Sequence, residues 1–107
     1  MYVRIARFEG RSGDIDQEIE EFRQMVRMQE RPEGMPEDVF DTLKGGVKRV
    51  MSLVDREAGV SVDLTFTENA DDARRVHEAL DSLSPPEGAG KRTSVGTYEL
   101  LIDEQLG

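Results

Sequence analysis

Residues Val60 to Thr67, VSVDLTFT, alternate without a break. Val60, Val62, Leu64 and Phe66 fall on one side; Ser61, Asp63, Thr65 and Thr67 fall on the other. A period of two is the pleat of a β-strand, so this segment has one apolar and one polar face. Such a strand needs hydrogen-bonding neighbours and a layer against its apolar face. The preceding residues offer a first neighbour. Val47 to Val54 (VKRVMSLV) reads as a strand, joined by the hairpin-length Asp55-Arg56-Glu57-Ala58-Gly59. A helix follows, with Asn69 as N-cap, Asp72 three residues later and acids in the first turn, where negative charge suits the helix dipole. Ala73, Val76, Leu80 and Leu83 form its apolar stripe, and Ser84-Pro85-Pro86-Glu87-Gly88 ends it.

The remaining elements are shorter or less regular. Tyr2 to Glu9 reads as a strand bounded by Gly10 and Gly13. Asp14 with Gln17 forms a capping box for a helix whose stripe is Ile15, Ile19, Phe22 and Val26, ending at Glu30. Pro36 opens a short helix holding Val39, Phe40 and Leu43, with Gly45 just past its end. A flexible Gly/Lys/Arg stretch leads to a last strand, Thr93 to Ile102, and the acidic end beyond it is expected to fray.

The order β-α-(short α)-β-β-α-β over residues 1–107 predicts a single α+β domain. It is the ferredoxin-like βαββαβ arrangement, a four-stranded antiparallel sheet with helices on one face and spatial order 4-1-3-2. Strands one, two and four carry apolar residues on both faces, so their orientation stays open and the face away from the helices is not expected to be left wet. The simplest cover is a second copy packed sheet to sheet about a two-fold axis, giving a homodimeric barrel.

Composition narrows the function classes. A net charge of -9 over 107 residues argues against phosphate backbones and anionic membranes as partners. The chain has no cysteine, which removes disulfides, thiolate chemistry and sulfur-built metal sites. No apolar run is long enough for a membrane span, and MYVRIARFEG has no signal-type apolar region, so a cytoplasmic protein is expected. Gly88-Ala89-Gly90-Lys91-Arg92-Thr93 lacks the Walker spacing and precedes a strand, so it reads as a loop tip.

From MYVRIARFEGRSGDIDQEIEEF through VMSLVDREAGVSVDLTFTENADDARRVHEALDSL to VGTYELL, the chain resembles the dimeric α/β-barrel superfamily, in particular its antibiotic-biosynthesis-monooxygenase-like group. The resemblance lies in element order and pattern. It implies a small organic ligand held between sheet and helices or between sheets. Members of the group include cofactor-free oxygenases of aromatic polyketides and haem-degrading enzymes. The latter use an Asn on the first strand, a Trp, and a His on the second helix. Here His77 lies on that helix, but the first strand has no Asn and the chain has no Trp. Haem degradation is therefore disfavoured and no cofactor is expected.

Four residues stand out as ligand-cavity candidates. Asp63 on the polar row of the third strand is expected to face water or the dimer interior, where it would need a partner; Arg4 on the neighbouring strand is the obvious one. The pair is either a structural ion pair or a ligand-orienting one. Tyr98 can fill core or orient a ligand, on either face. His77 sits beside its helix's apolar stripe, as a boundary residue or as a general base or haem ligand. Met25, Met28, Met35 and Met51 suggest an adaptable apolar pocket or ordinary core. Two functions from different classes follow. One is a cofactor-independent, monooxygenase-like enzyme acting on a small apolar or aromatic molecule. The other is a non-catalytic ligand-binding or interaction protein of the same fold.

Overall fold

The structure is a computed structural model that describes residues 1–27, 31–84 and 88–107. Met28 and the end of the first helix at Glu30 lie outside the described residues, as do Pro85 to Glu87 and the Met25 side chain. The elements are β1 (Tyr2–Glu9), α1 (Ile15–Arg27), α2 (Glu37–Gly46), β2 (Val47–Asp55), β3 (Val60–Thr67), α3 (Ala70–Asp81) and β4 (Lys91–Glu99). They form a small α+β domain with one four-stranded antiparallel sheet in the order β2-β3-β1-β4. Counted from the opposite edge, the strands read 4-1-3-2.

The local signals act where the sequence places them. Asp14 Oδ1 accepts from the Gln17 backbone N–H at 3.1 Å, capping α1. The Gln17 side chain turns forward instead and donates to Glu21. Asn69 Oδ1 accepts from the Asp72 N–H at 2.8 Å and starts α3. Gly59, at φ +68°, closes the β2–β3 hairpin by donating to the Asp55 carbonyl at 3.0 Å.

Two elements, α2 and β4, differ from expectation in their bounds. α2 does not stop before Gly45; it runs through Gly46 and passes directly into β2. The reason is packing. A Cβ on Gly46 would lie 2.8 Å from Val76 Cγ2, so glycine lets the end of α2 approach α3. β4 begins at Lys91, earlier than expected, because Lys91 pairs with Glu9 of β1, and it ends at Glu99, where β1 runs out at Tyr2.

The core lies between α2 and α3. Met35, Val39 and Ala79 are buried, with Phe40, Leu43 and Leu83 packed against them. α3 presents Ala73, Val76 and Ala79 inward. α1 is seated differently. Ile15 and Ile19 are half-buried, but Phe22 and Val26 remain 38% and 46% exposed. Its apolar stripe thus overhangs the sheet without closing on it.

The faces of the sheet correct a second expectation. Arg4 on β1 donates to His77 on α3, which puts even-numbered β1 residues on the helix side. Strand pairing then places Ser61, Asp63, Thr65 and Thr67 on that side too. The polar row of β3 looks to the helices, not to water or a dimer interior. The apolar row, Val62, Leu64 and Phe66, lies on the far face with Val3, Ile5, Met51 and Leu53. Polar side chains on the helix side find partners there: Arg11 donates to Ser61, Ser52 to Asp63, and Thr67 donates to the Tyr2 carbonyl.

Candidate functional site

The sheet and helices border an open cleft. A cavity of about 420 Å³ opens on the helix side. Phe22 and Val26 of α1 form one wall, with Pro32 and Met35 from the α1–α2 connection. Phe40, Leu43 and Lys44 of α2 form another. Its floor is Val47 and Val50 of β2 with Thr65 of β3, and Leu80 of α3 closes one end. A volume of this order suits a small organic ligand. The overhang of α1 creates the space: a helix seated fully on the sheet would fill it with Phe22 and Val26.

The four predicted residues do not converge on one point. Arg4 is 8% exposed and its Nε donates to His77 Nδ1 at 3.1 Å. It stands opposite Thr65 in the β1–β3 pairing, at the edge of the cavity floor. Among the described residues, no carboxylate accepts a hydrogen bond from it. Burial pushes its guanidinium below the ordinary arginine value, Arg92 adds to this, and Asp81 and Asp63 push the other way. Asp63 does not pair with Arg4. It accepts from Ser52 Oγ at 2.8 Å across the β2–β3 pair. The strands set this choice: Asp63 faces Ser52 and Ala6, while Arg4 is one step away facing Thr65.

Tyr98 lies on the far face, 60% exposed, remote from the other three. Its ring folds along its own strand over Gly96, where a Cβ would sit 2.9 Å from the Tyr98 Oη. Among the methionines, Met35 lines the cavity, while Met51 is on the far face.

Two contributors carried no sequence signal that singled them out. Lys44 follows Leu43 and stands four residues after Phe40, so its Nζ lies 5.9 Å from the Phe40 ring centroid, over the cavity wall. Its spacing from Phe40 was the available clue. Arg11 follows Gly10 in a turn, where a charged residue reads as solvated. It is instead the anchor of α1. Its guanidinium pairs with Glu18 at 2.5 Å and donates to Ser61 Oγ at 3.2 Å, with side-chain exposures of 9% for Arg11 and 20% for Glu18. Its Nε is buried without a partner.

The glycine-rich connection is part of the same clamp. Ala89 is buried, and the Gly88 carbonyl accepts from Ser12 N at 2.9 Å. Gly90, at φ +86°, lies so close to the Glu9 carbonyl that a Cβ there would overlap it. The stretch expected to be a flexible tip is held against the start of α1.

Two surface ion pairs tie elements together away from the cavity lining. Arg92 pairs with Asp81 at 2.7 Å and Arg56 with Asp16 at 2.6 Å. Each carboxylate is held below the usual carboxylate range, first by the hydrogen bond and then by the charge of its arginine. A folded value below the unfolded one means that the native state binds fewer protons at acid pH. This stability is present above the unfolded carboxylate value and is lost as pH falls through the folded one. The thermal midpoint is therefore expected to fall on acidification below about pH 4, and Asp81→Asn to flatten that limb. A melting series across the acid range checks both; equal slopes for the two proteins would contradict the assignment.

Among the described residues, no group of three His, Cys, Asp or Glu side chains is placed to hold a metal ion. No described helix is long and apolar enough to cross a membrane. Compared with protein-family models, with curated proteins and with solved structures, the chain matches none of them.

Proposed function

We propose that the chain is a small-molecule-binding protein of the ferredoxin-like, dimeric α/β-barrel type, resembling the cofactor-independent monooxygenase-like group. Its ligand is a small apolar or aromatic molecule held on the helix side of the sheet. The observation that carries this reading is the cavity of about 420 Å³, most of whose lining is apolar. The reading assigns no cofactor, haem being disfavoured by the lack of Trp and of a first-strand Asn.

Of the two functional classes, binding without chemistry has the better support. Arg4 and His77 bond to each other, Asp63 is engaged by Ser52, and Tyr98 is on the opposite face. A catalytic acid or base must reach the reacting atoms, and none of these four candidates is in the lining.

The second copy belongs to the same proposal. The far face carries Met51, Leu53 and Tyr98 at 36%, 51% and 60% exposure, beside Ile5, Val62 and Leu64. These apolar residues share the far face with Arg7, opposite Val62, and Arg49, over the Phe66 ring. Pairing two such faces removes them from water and leaves the helices outermost.

Filling the cavity tests the binding reading. Val26 is on the α1 wall and half-exposed, so Val26→Trp adds bulk to the cavity without removing core. A neutral polarity-sensitive dye is expected to bind the parent chain and to lose at least tenfold in affinity to Val26→Trp, with the melting temperature unchanged. Equal dye binding by both chains would remove the cavity from consideration.

A further inference from the structure

The charge around the cavity departs from the charge of the chain. The protein carries -9 overall, with 23 acidic and 14 basic side chains. In the cavity wall, among the described residues, the single charged side chain is Lys44. Carboxylates of α1 and α3 engage in surface pairs such as Glu20–Arg23 and Asp71–Arg74, and Asp41 of α2 lies outside the lining. Among the described residues no carboxylate lies within ion-pair distance of Lys44 Nζ. Lys44 also suits the C-terminal end of α2 electrostatically. That role requires only its place in the chain. Its Nζ instead lies back over Phe40, at the cavity wall.

We propose that this cavity takes an amphiphilic carboxylate, its apolar body against Phe22, Met35, Phe40 and Leu43 and its carboxylate on Lys44 Nζ. The inference rests on the binding reading above and adds the ligand's class. Apolar walls supply affinity in proportion to the surface removed from water. A lone ammonium at the rim supplies orientation and discriminates by charge. A neutral molecule leaves Lys44 unmatched. A cationic amphiphile meets like charge. A carboxylate meets its complement and keeps its head at the solvent edge, where desolvation is small.

The test uses decanoate, decanol and decyltrimethylammonium below their aggregation limits, titrated calorimetrically into the full chain. Decanoate is expected to bind once per chain and at least tenfold more tightly than decanol, with the cation weakest. Shortening decanoate by one methylene is expected to weaken binding about fourfold. Lys44→Met is expected to bring decanoate to the affinity of decanol while leaving decanol unchanged, and Lys44→Glu to reverse the preference toward the cation. Equal binding of decanoate and decanol by the parent chain, or a decanoate preference that survives Lys44→Met, overturns this inference alone. If none of the three binds, the cavity reading falls with it.

Discussion

A chain carrying Leu53→Glu is expected to run as a monomer at concentrations where the parent chain is expected to form the proposed dimer. Leu53 sits on β2 in the far face of the sheet, opposite Val62 and 51% exposed in the single chain. In a two-fold interface each substitution counts twice. Losing the burial of the exposed half of Leu53 forfeits about 1 kcal/mol per copy, and desolvating a carboxylate in its place adds about 1 more. The total of about 4 kcal/mol weakens association roughly a thousandfold. Arg74→Gln, on the solvent face of α3 in an exposed pair with Asp71, should leave the dimer intact. Light scattering across a concentration series reads the result. A parent chain that stays monomeric throughout would refute the sheet-to-sheet dimer.

Arg11→Met is expected to lower the melting temperature of the chain by roughly 10–20 °C, equivalent to about 2–3 kcal/mol. The figure sits below the usual cost of breaking a fully buried pair because Glu18 keeps 20% of its side chain in water. The loss leaves the Glu18 carboxylate without its arginine and frees Ser61 from a hydrogen bond. Arg11→Met with Glu18→Met should recover most of the loss, since no unpaired charge then remains. The same single change should weaken the proposed ligand binding, because the Arg11–Glu18 pair ties the start of α1, the helix that carries Phe22 and Val26. A single variant that melts with the parent would show that α1 is held by other contacts.

Much of the chain was legible before any coordinates. The alternation of Val60 to Thr67 is β3 itself, the caps at Asp14 and Asn69 lie where their side chains bond, and the number and order of strands follow from the pattern. These are local facts: a cap acts within three residues and a pleat repeats every two. The candidate site was legible only in fragments. Arg4 and His77 do meet, but as each other's partner; Asp63 chose Ser52 across β2–β3; Tyr98 went to the far face.

The alternating residues and capping signals determined by themselves which segments are strands and helices, and in what order. Tertiary structure alone decided which face of the sheet the helices cover. It turned the polar row of β3 toward them, joined Arg11 to Glu18 and Ser61, and brought Lys44 to the rim of an apolar cavity. Alternation specifies that a strand has two unlike faces. It carries no label for which face meets a given layer, because that depends on crossovers, strand register and partners distant in the chain.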